Sequence, residues 1–255
     1  MSEKSEGAKL VEIVHLAFLQ VLPSYMQVGE YVVKGGANLR LWFDSRRRSQ
    51  DIDLDYLGAE RFYLVEDQID KTLAARAFRE ILRSGGVSIS DPTKPKQTST
   101  TRRWKFVASG PAGLLNTKIE FSSRVGTVDP EHAFEQARAD IGAGLGLRVV
   151  KAEHYLAPAA IRQKIGALAG RSETEPRDVF DLDLLLGAYP NALTSGQVDP
   201  ALIDKAVAAA MGISYESYHD LVVDFLEEEF VPIYGRPDVW TNMVLEVVER
   251  LEALK

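Results

Sequence analysis

Cysteine is absent from this chain of 255 residues, which excludes disulfides and thiolate metal sites. No apolar run approaches the roughly 20 residues that span a bilayer, so the sequence does not read as a membrane protein. The opening Met1-Ser2-Glu3-Lys4-Ser5-Glu6 is charged where a secretory signal would be apolar, and the cytoplasm is the expected location. Nor is there an excess of positive charge: 30 Lys and Arg against 37 Asp and Glu leave a net charge of −7, with a pI near 5.3. A general nucleic-acid coat depends on many phosphate contacts from Lys and Arg, and that balance argues against one. No segment repeats another.

What is present is a composition ordinary for a globular protein, 45% hydrophobic and 26% charged, in a chain long enough for one elaborated domain or two small ones. The order of patterns favours two lobes. Lys9 to Leu22 sets apolar residues at helical spacing and stops at Pro23, which marks an amphipathic helix with a structural His15. An apolar strand before Gly35 follows, then a helix from the glycines through Phe43, a strand over Asp51–Leu57, and a long helix over Glu66–Arg83 closed by Ser84-Gly85-Gly86. Strands at 87–90, 102–107 and 114–121, parted by Asp-Pro and Gly-Pro-Ala-Gly turns, imply a mixed sheet. Beyond Arg148-Val149-Val150-Lys151 the patterns are helical, at 156–168, 177–186, 200–209, 215–229 and 237–254. The expected architecture is α/β (α+β), an α/β lobe over residues 1–150 and a helical lobe over 151–255 that completes a ligand cleft. In the last helix Trp240, Met243, Val244, Val247, Val248 and Leu251 read as core.

The residues that carry chemistry begin with Tyr31-Val32-Val33-Lys34-Gly35-Gly36. Gly35 and Gly36 permit positive φ and a close approach of backbone N–H groups to an anion, and the unpaired N–H groups of the following helix would point at the same occupant. Asp51 and Asp53 stand at i and i+2 in an alternating run, so both carboxylates face one way while Ile52 and Leu54 face the core. Two carboxylates that close repel, a conflict most simply relieved by a divalent cation shared with substrate phosphates. Taken singly, Asp-x-Asp is more simply a half-buried strand with an acidic outer face. Asp55 shares that face and reads either as a further member or as a solvated residue at the strand's end.

Three more groups join the list. Lys118 and Glu120 share one strand face, so Glu120 could supply a third oxygen ligand or a base if its strand lies beside Asp51 and Asp53. Arg46-Arg47-Arg48 lies just before the carboxylates, and Lys94, Lys96, Arg102, Arg103 and Lys105 form a second basic stretch with Trp104 between; solvated surface accounts for either cluster equally well. In the helical half, Lys164 is a suitable point charge for β- and γ-phosphates, with Asp178 able to orient it and Asp181 on nearly the same face. Helix caps and surface pairs are the plainer reading of those three.

Together, Lys34-Gly35-Gly36-x-x-Leu39-Arg40, Arg47-x-Ser49-x-Asp51-Ile52-Asp53, Lys118-Ile119-Glu120, Lys164-x-x-Ala167-Leu168 and Arg177-Asp178-Val179-x-Asp181 resemble the AbiEii/AbiGii-type nucleotidyltransferase toxins of the DNA polymerase beta-like superfamily. The resemblance runs from about Val32 to Leu186, and the joint order is far more specific than any one motif. It implies a nucleotidyltransferase fold with an attached helical lobe, using Mg²⁺, with Mn²⁺ as an alternative, and a nucleoside triphosphate. It further implies a toxin of a toxin–antitoxin or phage-defence pair with a cognate antitoxin, acting on an acceptor hydroxyl such as the tRNA 3′ end. Carried onto this sequence, Asp51, Asp53 and Glu120 would hold metal, and Lys34, Gly35, Gly36, Arg40, Arg48, Ser49 and Lys164 the nucleotide. Asp51, Asp53, Glu120, Lys164 and Asp178 would form the catalytic set. Departures are Gly-Gly in place of the superfamily's usual Gly-Ser, Asn38 in place of a small residue, where it could alter base or ribose contacts, and a long Ser172–Pro176 segment. Two other functions stay open: a small-molecule nucleotidyltransferase of the aminoglycoside-modifying kind, and a nucleotide-binding module that does not turn over.

Overall fold

A computed structural model describes residues 3–111, 113–123 and 128–255. Met1 and Ser2 of the opening segment and Ala112 of the Gly-Pro-Ala-Gly turn lie outside these. The chain forms two compact units, one comprising residues up to Asp44 together with Arg48–Tyr155, the other Ser45–Arg47 together with Leu156–Lys255.

The first unit opens on helix α1 (Glu3–Val21). The expected amphipathic helix is instead buried on nearly every side, from Leu10 through Leu22 and including Glu12 and His15. Its segment Ser5–Ser24 has the length and mean hydropathy (1.2) of a membrane span, contrary to the expectation that no run comes close. That apolarity serves the interior, since 78% of the segment is buried within the protein. Strand β1 (Tyr31–Lys34) leads directly into α2 (Gly35–Trp42), and β2 (Ile52–Tyr56) follows. The expected long helix is two, α3 (Val65–Ala74) and α4 (Arg76–Ser84), because Ala75 takes an extended φ of −61° and ψ of 138°. Then come β3 (Ser88–Ile89), β4 (Thr93–Gln97), β5 (Thr101–Gly110), β6 (Gly113–Ser122), β7 (His132–Gln136), the short helix α5 (Ala139–Gly144) and β8 (Lys151–Tyr155).

These strands form one mixed sheet in the order β3-β5-β6-β2-β1-β8-β7, with β4 beside β3 along the same edge of β5. Its centre is the antiparallel pair β1–β2, flanked by the parallel pairs β2–β6 and β1–β8, with the antiparallel pairs β5–β6 and β7–β8 outside them. One face is apolar: Ile52, Leu54, Trp104, Phe106, Ile119 and Phe121 join α1, α3 and α4 in a single core. The alternate residues of β2, β5 and β6 point the other way, and this second face carries the charges described below.

The second unit is helical: α6 (Ala157–Gly170), α7 (Pro176–Ala188), α8 (Pro200–Met211), α9 (Tyr215–Leu221), α10 (Val231–Tyr234) and α11 (Pro237–Glu252). The pattern expected as one helix over 215–229 breaks after Leu221 into short 3₁₀ turns. Trp240, Met243, Val244, Val247 and Leu251 of α11 are buried, and Trp240 stacks on Tyr218 with ring centroids 4.3 Å apart.

Candidate active site

The turn between β1 and α2 owes its shape to Gly35, whose φ of +67° is one that side-chain-bearing residues rarely adopt. A Cβ built there would lie 3.4 Å from Oδ2 of Asp53. That closeness follows from register, since Lys34 is paired with Asp53 across β1 and β2. The glycine bend therefore sits against one carboxylate of the pair, at the N-terminus of α2, where N–H groups lack helical partners. Gly36 continues the helix and does not share the positive φ.

Asp51 stands immediately before β2 and Asp53 within it, and Ser49 fixes the approach by donating its hydroxyl to the Asp51 carbonyl at 2.7 Å. Strand β6 lies beside β2 in parallel register, which sets Glu120 opposite Asp53. The three carboxylates thus come from adjacent strands and one face. Each has a cation of the protein's own. The Lys118 ammonium bridges Asp53 at 3.0 Å and Asp51 at 3.2 Å, and Arg103, across the β5–β6 ladder, holds Glu120 at 2.5 Å. Burial works against the Lys118 charge, but the Asp53 and Asp51 carboxylates outweigh it and raise its pKa.

Among the described residues no group of three or more His, Asp or Glu side chains is arranged as a ready metal site. The donor chemistry nonetheless suits a hard divalent cation, because oxygen ligands on one face already hold an ammonium between them. Asp51 and Asp53 would be the ligands, with Glu120 the third once Arg103 withdraws.

Asp55 is not solvated. It is buried at the closed end of β2, where Lys34 Nζ (2.5 Å), Ser122 Oγ (2.6 Å) and the Tyr155 hydroxyl (2.7 Å) all donate to it. Burial, and then the Asp55 charge, raise the Tyr155 pKa well above that of an ordinary tyrosine. Lys34, expected at the nucleotide, thus has its ammonium on Asp55 and Ser122. Arg40 and Arg48, expected there too, are turned inward onto Glu12 of α1, at 2.5 and 3.5 Å. Asn38 faces neither base nor ribose: it is buried, donates to the Tyr155 carbonyl at 2.9 Å and meets His154 through its own carbonyl, fastening α2 to β8.

In the helical unit, Lys164 of α6 lies between two fully buried carboxylates of α7, Asp178 at 2.9 Å and Asp181 at 2.5 Å. Arg171 reaches Asp178 at 2.9 Å and Arg47 reaches Asp181 at 3.5 Å. Burial alone would push the Asp181 carboxyl up, and Lys164 and Arg47 instead hold its pKa below the ordinary value. Lys164, Arg47, Asp178 and Asp181 pack here in near-complete burial, which exposed helix caps and surface pairs would not do. The three arginines of the 46–48 run diverge: Arg46 lies over the Phe230 ring at 4.6 Å, Arg47 joins this cluster, and Arg48 belongs to the α/β unit. The sequence placed Lys118 and Arg47 in the family motifs and Arg103 in a basic stretch, but gave none of these three, nor Arg171, a part as the partner of a site carboxylate. The alternation of β5 and β6 does place Arg103 and Glu120 on one face each, but their register is set by pairing.

The family model for the nucleotidyl transferase AbiEii toxin of type IV toxin–antitoxin systems matches residues 27–251. The chain belongs to the AbiEii family. It is accordingly a nucleotidyltransferase, and AbiEii membership implies a nucleoside triphosphate substrate, a divalent metal and an antitoxin partner. The AbiEii chain is also similar in fold to solved structures. One is a candidate nucleotidyltransferase from H. pylori, at a TM-score of 0.56 and 16% identity, covering 100% of this chain and 99% of that one. Another is JHP933 from Helicobacter pylori, at 0.54 and 17% identity, covering 96% and 93%. No curated protein matches the sequence.

Proposed function

We propose that this chain transfers a nucleoside monophosphate from an NTP to an acceptor hydroxyl, the tRNA 3′ end, as the cytoplasmic toxin of a toxin–antitoxin pair. The observation that carries the reading is the meeting of Asp51, Asp53 and Glu120 on one sheet face beside the Gly35 bend. The acceptor oxygen bonds to the α-phosphorus in line with the leaving group, the α–β phosphoanhydride bond breaks, and pyrophosphate departs. The hydroxyl proton passes to a carboxylate of the trio.

Asp51 and Asp53 would hold a divalent cation, Mg²⁺ or Mn²⁺, which would supply charge neutralisation at the α-phosphate and a lowered pKa for the attacking hydroxyl. The N–H groups of Gly35 and Gly36 hold phosphate oxygens, and Ser49 keeps the chain before Asp51 in place. We assign Lys164 of the helical unit to the triphosphate, with Asp178 orienting its ammonium.

The test is incubation of purified protein and Mg²⁺ with total RNA and each labelled NTP in turn. Label is expected at tRNA size, and Asp51→Ala or Asp53→Ala should abolish it. Transfer at the wild-type rate by either variant would remove the metal assignment, and label on an added aminoglycoside but on no RNA would move the acceptor to small molecules.

A further inference from the structure

The face that carries the three carboxylates continues past them. Following register outward from β2, Asp53 is opposite Glu120 of β6, Glu120 opposite Arg103 of β5, and Arg103 opposite Lys96 of β4. One step along, Lys118 of β6 is opposite Lys105 of β5. Residues opposite each other in register share a sheet face, so Lys96, Arg103 and Lys105 form one cationic group leading from the carboxylates to the sheet edge. Arg102, of the other parity, lies over Phe62, and Trp104 is core with its indole N–H on Asp70.

The charges do not cancel. Arg103 has Glu120 and Lys118 has the two aspartates, whereas Lys96 and Lys105 have no carboxylate partner among the described residues. Like charges directly opposite on a ladder are unfavourable, yet Lys105 stands opposite Lys118 in the β5–β6 register. In a chain of net charge −7, two such lysines on the catalytic face suit an anion that arrives from outside. Lys96 is three strands from Asp53, about 14 Å at the spacing of neighbouring strands. A small hydroxylated acceptor seated at the carboxylates would not reach it, and a strand with phosphates at intervals would.

We propose that Lys96 and Lys105, with Arg103 between them, bind the phosphodiester backbone of a single-stranded polynucleotide acceptor and lead its 3′ hydroxyl to the carboxylates. The inference rests on the transfer reading for its meaning, but it can be tested by binding alone. The probe is a fluorescein-labelled single-stranded oligoribonucleotide, titrated with the full chain in the absence of NTP and followed by anisotropy across a salt series.

Replacing both lysines, as Lys96→Ala with Lys105→Ala, should weaken binding on the order of tenfold and flatten the log–log salt slope by about 1.4, two contacts at about 0.7 each. Lys96→Glu with Lys105→Glu should weaken it further. Affinity and slope unchanged in both variants would overturn the proposal. So would a polyglutamate peptide that depends on these lysines while the RNA does not, since the face would then receive an acidic protein. If RNA binding needs the lysines but no label ever reaches RNA, the track stands and the transfer reading fails. If label reaches RNA with a Michaelis constant for RNA indifferent to both lysines, transfer stands and the track fails.

Discussion

Lys118 occupies the place between Asp51 and Asp53 that the proposed transfer would give to a metal ion, and its removal separates the two kinds of cation. In Lys118→Met the aspartates keep their spacing and lose their resident counter-charge. Their side chains are 25 and 31% exposed, so the cost in chelator is modest, about 1 kcal/mol. The expected result is a lowered Tm in EDTA and a rise on adding Mg²⁺ larger than that of wild type, because binding to the native state then also relieves the repulsion. Equal Tm responses to Mg²⁺ in the two proteins would mean that the aspartates do not hold the ion. At this scale the pair itself was legible, since i and i+2 on a strand settle orientation from two neighbouring letters. Its counter-ion was not: Lys118 is 65 positions from Asp53, and only the β2–β6 register brings them together. Arg40 and Arg48 show the same limit, since the Glu12 that turns them inward lies on another element.

Between elements, α1 meets the sheet through a contact that titrates. His15 is fully buried, its Nε2 is 3.0 Å from the Thr117 hydroxyl of β6, and burial drives its pKa down from 6.5 to about 3. The folded state therefore keeps the ring neutral where the unfolded chain has protonated it, so the unfolded state binds more protons between those values. Stability is complete above pH 6.5 and falls as pH falls, by about 3 kcal/mol at pH 4. Urea unfolding at pH 7 and pH 4 should show that loss in wild type and a loss smaller by that amount in His15→Gln, whose amide can still meet Thr117. An equal acid loss in both would place the titration elsewhere. Elements with a strong period, α1, β2 and α11, could be read from the chain alone. Strand β8, Lys151-Ala-Glu-His-Tyr, lacks a clean alternation and takes strand form by lying parallel to β1, where Asn38 and the Tyr155–Asp55 bond fasten it. The break between α3 and α4 was invisible because Ala75, an excellent helix former, is what leaves the helix.

At the scale of the whole chain, Lys164 is where stability and the proposed chemistry are hardest to tell apart. Its ammonium lies within 2.9 Å of two fully buried carboxylates, so Lys164→Met should cost the helical unit about 3–5 kcal/mol whatever its part in catalysis. Loss of transfer in that variant alone would say little. The pair Lys164→Met with Asp181→Asn removes one buried negative charge along with the buried positive one, and Arg47 and Arg171 remain to serve Asp178 and the new amide. Unfolding in urea should show the double variant recovering a good part of the lost stability, a coupling expected of residues in direct contact. Transfer should not recover with it, because a refolded unit still lacks the point charge assigned to the departing pyrophosphate. A double variant that is stable and transfers label at the wild-type rate would reduce Lys164 to a structural ion pair. The triphosphate contact would then have to be sought among other cations of the chain.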